Sequence, residues 1–252
     1  MADWDEGLAP FRDDPAGSRI VLDFDGSLSP IVEDPATAAP VDGATDLLIG
    51  LANRYGEVVV VSGRPVDFLT KHLPVEVSIA GLYGLEGLRR GERWEHPNSG
   101  AWREVMEDVA VTARSVGPPG MLVEPKGLSI TLHYRTRPEI GDEVVAFAKA
   151  QAERSGLEAR PAKMSMELQP PIETDKGTVI DEWCAGAGHV LFAGDDLGDL
   201  PAFDALDRLA RRGVDTLRVA VTSDETPDEL LARADVTVSG PVGLLTFLHR
   251  LL

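Results

Sequence analysis

The chain is predicted to be an α/β protein with a parallel sheet, interrupted by a second, α+β block. Three observations predict this. Short, largely apolar runs (Ile20-Val21-Leu22, Val58-Val59-Val60-Val61, Val77-Ser78-Ile79-Ala80) alternate with helix-spaced segments, the pattern of strands covered on both faces by crossover helices. That texture breaks after Gly84 and returns at Asp175. The charge breaks at the same places: residues 85–173 hold 12 basic and 14 acidic side chains out of 24 and 42, so a net charge of −18 divides into −2 there and −16 elsewhere.

The elements follow in order. Residues 1–18 are acidic and rich in Pro and Gly, and read as a loose arm with a short helix at best. Ile20 to Leu22 is the first strand, and Asp42 to Tyr55 a helix with Leu47, Leu48 and Leu51 on one face. Val58–Val61 is the second strand, Asp67 to Leu73 a helix behind Pro65, and Val77–Ala80 the third strand. In the middle block, Arg89-Arg90-Gly91-Glu92 reads as a hairpin turn. Ala101 to Ser115 is an amphipathic helix broken by Pro118-Pro119-Gly120. Met121–Glu124 and Leu128–Tyr134 alternate as an antiparallel pair, Pro138 to Arg154 is a helix, and Lys163 to Leu168 a further strand. After Asp175 come a helix over Lys176–Ala185, a strand at His189–Ala193, a helix over Pro201–Arg212 and a strand at Leu217–Val221. A helix over Pro227–Ala234, a strand at Val236–Val238 and a helix from Pro241 close the chain.

Composition excludes several classes. The acidic balance is unsuited to coating nucleic acid or an anionic membrane, both of which need a basic face. Taken alone it also argues against an anionic substrate, although a local pocket overrides a global sign. The one cysteine, Cys184, excludes an intrachain disulfide and a multi-cysteine metal site, and its apolar helical setting reads as core packing. The acidic N-terminus reads as neither a secretory signal nor a transit peptide, and no apolar run approaches the ~20 residues of a membrane span. A soluble cytoplasmic protein is expected.

Four constellations carry chemistry, each at a strand end or a helix start, where open α/β sheets bind ligands. In Asp23-Phe24-Asp25-Gly26-Ser27 two carboxylates share one side of the chain and repel unless compensated, and Gly26 permits close approach. Ser62-Gly63-Arg64 places a hydroxyl and backbone amides after a strand, as in phosphate cradles. Lys176, in Asp175-Lys176-Gly177, opposes the positive end of its helix and calls for an anion nearby. Gly194-Asp195-Asp196-Leu197-Gly198-Asp199 concentrates three hard carboxylates, a donor set suited to Mg²⁺.

In this order the motifs resemble those of the haloacid dehalogenase superfamily of phosphatases, with the insertion placed as in a C2-type cap. Within it the chain resembles the trehalose-6-phosphate phosphatase family. Asp23 to Ile31 is similar to that family's DxDGTLxPI, and Ser62-Gly63-Arg64-Pro65 to its second motif. In the insertion, Val123-Glu124-Pro125-Lys126-Gly127-Leu128-Ser129 with His133-Tyr134-Arg135 resembles VExKGLS…HYR. Glu167-Leu168-Gln169-Pro170-Pro171 leading to Asp175-Lys176-Gly177 resembles ELRPP…DKG. Two departures stand out: Leu82-Tyr83 replaces the Ser-His of AGSHG, and Gly198 replaces the Thr of GDDxTD.

The resemblance implies a Rossmann-like haloacid dehalogenase core over 19–84 and 174–252, and an α+β cap over 85–173. It implies that Asp23 is the nucleophile, that Asp25 is the general acid and base, and that Ser62 and Lys176 hold the phosphoryl oxygens beside Gly26, Gly63 and Arg64. Mg²⁺ would sit on Asp23, the Asp25 carbonyl and Asp195, with Asp196 and Asp199 acting through water or on the loop. Glu124, Lys126 and Glu167, with His133 and Arg135 as second choices, would read the sugar from adjacent strands of the cap. The implied partner is trehalose 6-phosphate, with a trehalose-6-phosphate synthase as a protein partner and a monomeric state expected. Two alternatives stay open: another sugar phosphate (sucrose 6-phosphate or a glycosyl-phosphoglycerate), and a catalytically dead regulatory partner of the synthase.

Overall fold

The computed structural model describes residues 4–162 and 164–252. Lys163, expected at the start of a strand, lies outside the described residues, as do residues 1–3 of the expected arm. The chain begins with α1 (Trp4–Asp13), β1 (Ser18–Leu22), α2 (Ala44–Arg54), β2 (Glu57–Val61), α3 (Val66–Leu69), β3 (Ser78–Gly81), β4 (Glu86–Arg89) and β5 (Glu92–Glu95). There follow α4 (Arg103–Val116), β6 (Leu122–Pro125), β7 (Ile130–His133), α5 (Gly141–Ser155), β8 (Glu158–Ala162) and β9 (Ser165–Gln169). The last part is α6 (Lys176–Trp183), β10 (His189–Gly194), α7 (Leu200–Ala210), β11 (Asp215–Thr222), α8 (Asp228–Arg233), β12 (Val236–Ser239) and α9 (Gly240–Leu248).

One compact unit runs to Trp94 and resumes at Thr174. Its sheet has the order β12-β11-β10-β1-β2-β3-β4-β5, parallel from β12 to β3. Strand residues alternate between two helical layers. Ile20, Leu22, Val58 and Val60 pack with Leu47, Leu51, Leu244 and Phe247 on one side; Val21, Val59, Val61 and Phe192 pack with Ile180, Phe203 and Leu206 on the other. Cys184 is buried in the second layer, and burial pushes its thiol up to about 12, so it is an inert core residue. Leu22 stands beside Val60 and Ala193 in register, so the chain emerges from β1, β2 and β10 at one edge, Asp23 included.

The structure corrects two readings in this unit. The expected loose arm contains a ten-residue helix, α1, whose Leu8 and Phe11 are fully buried and whose Trp4 meets Phe247 edge-on at 5.3 Å. Its apolar stripe, at positions 4, 8 and 11, is one helix face, hidden in the sequence by acidic and Pro-rich neighbours. The hairpin turn at Arg90-Gly91 forms with both residues at positive φ, the type I′ geometry. However, β4 pairs antiparallel with β3 and extends the first sheet. The units therefore divide at Glu95, later than the residue 85 read from the texture. Glu57 holds this extension: it accepts from Arg89 (2.8 and 2.9 Å) and from Ser78 (2.8 Å), while the Arg89 guanidinium lies 4.9 Å from the Trp183 ring centroid.

The other unit, Glu95–Glu173, is built on an antiparallel sheet of order β6-β7-β9-β8. Period-two alternation divides its faces. Val123, Ile130, Leu132, Met166 and Leu168 pack with Met106, Val109 and Ala110 of α4 and Val144 and Ala148 of α5. The register aligns Glu124, Thr131, Glu167 and Arg160 across the opposite, polar face. Strand β8 was not expected; its sequence, Glu-Ala-Arg-Pro-Ala, has little strand propensity, and its Pro161 is tolerated because β8 is an edge. Among the described residues no helix is long and apolar enough to cross a membrane.

Burial raises the Glu57 carboxyl, but the bonds from Arg89 and Ser78 outweigh it and leave its pKa below the ordinary value. Its stabilising contribution is therefore present above the unfolded-state value of ~4.3 and is lost as pH falls through the lower folded value. Glu57→Gln should lower the unfolding free energy at pH 7 by about 1–3 kcal/mol in urea titrations. The deficit should shrink toward zero at acid pH, where wild-type Glu57 is protonated too; a deficit unchanged by pH would refute the charge-based account.

Candidate active site

The acidic cluster gathers at the carboxyl edge of the parallel sheet. Asp23 follows β1, and its backbone N–H donates to the Ala193 carbonyl of β10 (2.9 Å). Lys176 is the first residue of α6, whose start is fixed by a capping box between Asp175 and Thr178. Its buried ammonium donates to Asp23 Oδ1 (2.6 Å) and to Asp199 Oδ1 (2.5 Å), the anions that its place at a helix start called for. The second oxygen of Asp199 accepts the backbone N–H groups of Asp195 (2.8 Å) and Asp196 (3.1 Å). Asp199 is thus the internal brace of the loop after β10.

Asp23, Asp195 and Asp199 each offer a carboxylate oxygen within 4.8 Å of one another. Asp195 lies on Gly26, whose φ is +85°; a Cβ at Gly26 would stand 2.0 Å from Asp195 Oδ2, so only glycine allows this approach. The electrostatics show a deficit of positive charge. Burial, then the charges of Asp199 and Asp196, push the Asp195 carboxyl up to about 7, although Lys176 and a hydrogen bond with Asp23 pull it down. Burial also holds Asp23 well above the usual carboxylate value despite Lys176. Lys176 is held above the ordinary lysine value: burial works against its charge, but Asp199 and Asp23 outweigh it. Hard oxygen donors carrying more negative charge than one ammonium offsets fit a divalent cation.

Several expected site residues have other partners. Asp25 points its carboxylate at Arg64, which holds it with two parallel bonds (Nε 2.8 Å, Nη2 2.7 Å). Arg64 also donates to the Pro35 carbonyl (2.6 Å) and lies 4.5 Å from the Phe68 ring centroid. This guanidinium, expected on phosphate, forms in this structure a fork that sets the plane of Asp25. The Gly26 N–H, also expected on phosphate, donates to the Ser29 carbonyl (2.7 Å). Asp196 is exposed and caps Gly198 N–H (2.8 Å), which places its carboxylate on the loop backbone rather than in the three-carboxylate group. Ser62 is buried after β2, and its Oγ accepts the Arg64 N–H (3.1 Å); Gly63 lies under the Tyr83 ring.

In the second unit Glu124 and Glu167 share the polar sheet face but not adjacent strands, because β7 runs between β6 and β9. His133 on β7 bonds Glu124 (2.8 Å), and Lys126, just past β6, lies 3.7 Å from the same carboxylate oxygen. Arg135 lies beyond the end of β7. Sequence reasoning missed Ser129 and Thr131. Ser129 Oγ donates to Glu167 Oε1 (2.6 Å), and buried Thr131 stands in register between Glu124 and Glu167 with no hydrogen-bond partner for its hydroxyl. The alternation Ser129-Ile130-Thr131-Leu132-His133 carried that signal.

The fold, with carboxylates and a lysine gathered at the carboxyl edge of its parallel sheet, resembles that of a solved phosphatase of the haloalkanoate dehalogenase superfamily from Bacteroides thetaiotaomicron (TM-score 0.54, 17% identity, covering 93% of this chain and 94% of that one). A model of the trehalose-phosphatase family matches residues 21–236, and the chain belongs to that family. The trehalose-phosphate phosphatase of Mycobacterium avium is 34% identical over 227 residues, which cover 82% of this chain and 56% of that protein. The trehalose-phosphate phosphatase of Mycobacterium leprae is 32% identical over 250 residues, 92% of this chain and 57% of that one. The chain thus spans little more than half the length of these curated relatives. The solved C-terminal domain of trehalose-6-phosphate phosphatase from C. albicans matches with a TM-score of 0.77 at 23% identity, covering 100% of this chain and 97% of that one.

Lys176→Met would leave buried Asp23 and Asp199 without their shared cation. It should lower the unfolding free energy at neutral pH by about 3–5 kcal/mol, as removal of one partner of a buried pair does. Urea denaturation checks this, and a loss below ~1 kcal/mol would show that the ammonium does not hold the cluster together.

Proposed function

We propose that this chain hydrolyses trehalose 6-phosphate to trehalose and inorganic phosphate, using Mg²⁺. The observation that carries the reading is Asp23 held at the end of β1 by Lys176, beside Asp195, in a chain of the trehalose-phosphatase family. The cation would be held by Asp23, the Asp25 carbonyl and Asp195, with Asp199 bracing the loop. When bound, Mg²⁺ offsets the repulsion between the carboxylates and the phosphate and polarises the phosphoryl group.

The chain's own residues supply the rest. Asp23 attacks phosphorus as the bond to the sugar oxygen breaks, giving an aspartyl phosphate and splitting the hydrolysis into two easier steps. Asp25 gives its proton to the departing sugar oxygen. It then takes one from the water that attacks the aspartyl phosphate and frees Asp23. Arg64 grips Asp25 on two nitrogens and so fixes the plane of the carboxyl that handles these protons, leaving one further lone pair on each oxygen. Lys176, already on Asp23, stabilises charge on the phosphoryl oxygens, and Ser62 follows the neighbouring strand at the same edge. Glu124, Lys126, His133 and Glu167, on one polar sheet face, offer the charged and hydroxyl-matching groups that a disaccharide requires.

Phosphate release from a panel of trehalose 6-phosphate, sucrose 6-phosphate and glucosyl-phosphoglycerate, with and without Mg²⁺, tests the substrate. Trehalose 6-phosphate should be hydrolysed fastest and only with the metal; equal or slower release than from the other members would overturn the assignment. Asp23→Asn should lower kcat by roughly 10³-fold or more with the circular-dichroism spectrum unchanged. Near-normal turnover by that variant would remove Asp23 from the role of nucleophile.

A further inference from the structure

We propose that Tyr83 is a leaving-group specificity residue: its ring forms a wall beside the loop after β2, against which the sugar of the substrate packs. The inference rests on the phosphatase reading above and extends it to a residue at which this chain departs from its family's pattern.

The backbone brings Tyr83 to the site. Strand β2 lies beside β1, so Ser62 and Gly63 emerge next to Asp23. Strand β3 lies beside β2 and ends at Gly81, after which the chain turns back over that loop. Leu82 N–H donates to the Arg64 carbonyl (3.0 Å), and Tyr83 N–H to the Ser62 carbonyl (3.0 Å). The Tyr83 carbonyl in turn accepts from Thr174 Oγ1 (2.7 Å), two residues before Lys176. Tyr83 is therefore tied to both segments that carry the expected phosphoryl-binding groups.

The local conformation is strained, and the strain aims the side chain. Leu82 and Tyr83 have φ of +48° and +56°, the left-handed region that side chains with a Cβ disfavour. Leu82 is buried, whereas Tyr83 is only partly buried, so the pair anchors one side chain and leaves part of the other open to a ligand. The phenol end lies directly on Gly63: a Cβ there would stand 2.5 Å from the Tyr83 Oη and 2.6 Å from its Cζ. Ring and glycine are thus matched, and any side chain at position 63 would displace the ring. Core packing alone does not require this arrangement, because a glycine at position 83 would adopt the same backbone without strain. An aromatic face with a polar tip suits a sugar, whose C–H surface packs on the ring while its hydroxyls exchange hydrogen bonds with the phenol.

The test compares Tyr83→Gly, which suits the positive φ and so keeps the fold, with Tyr83→Phe and wild type. The readout is the ratio of kcat/KM for trehalose 6-phosphate to that for acetyl phosphate, which presents the same phosphoryl group without a sugar. In Tyr83→Gly the ratio should fall about tenfold, mainly through a higher KM for the sugar phosphate, with Tyr83→Phe in between. A ratio that stays within about twofold of wild type, or rises, overturns the proposal, since a merely structural residue would affect both substrates alike. A wild-type protein that leaves trehalose 6-phosphate intact overturns the reading on which the proposal rests, and the proposal with it.

Discussion

A single buried ammonium, Lys176 Nζ, lies 2.6 Å from Asp23 and 2.5 Å from Asp199, and so joins the end of β1, the loop after β10 and the start of α6. Burying carboxylates is unfavourable unless they are paired, and the remaining oxygen of Asp199 is satisfied by two backbone N–H groups of its own loop. The position of Lys176 depends in turn on the Asp175–Thr178 capping box. It depends also on Gly177, where a Cβ would stand 2.3 Å from the Pro201 carbonyl and force α6 away from α7. Local capping, close helix packing and the site's charge balance are thus one arrangement.

That arrangement resolves the charge paradox of the composition. A chain of net charge −18 is a poor partner for a phosphate dianion at long range. Near the site the excess is sharper, because Asp23, Asp195 and Asp199 converge around one lysine and the Asp195 carboxyl is pushed up to about 7. Under the proposed function, a divalent cation would reverse the sign where it matters and make the acidic cluster a condition for binding phosphate rather than an obstacle. Asp25 stands apart from this balance because Arg64 neutralises it separately.

Much of this was legible in the sequence for physical reasons. Strands buried on both faces must be continuously apolar, so Ile20–Leu22 and Val58–Val61 announce themselves, and ligand sites at their carboxyl ends follow from topology. What escaped depends on distant partners. The stripe in α1 matters only because Phe247 and the first helical layer receive it. Strand β8 exists because β9 offers an edge, against its own propensity. Arg64 follows a strand as a phosphate ligand would, yet the carboxylate it meets is Asp25, far away in sequence. The hairpin turn at Arg90-Gly91 was readable, but the strand that β4 would join was not, so the boundary between the two units was placed too early.

The central claim is that the cluster around Lys176 admits a phosphoryl group only when a divalent cation completes its charge. Calorimetric titration of orthovanadate, a phosphate analogue, into the protein tests it directly, once with Mg²⁺ and once with chelator. The account predicts saturable binding with Mg²⁺ and a loss of affinity of at least about a hundredfold without it. Equally tight binding in the metal-free protein would contradict it.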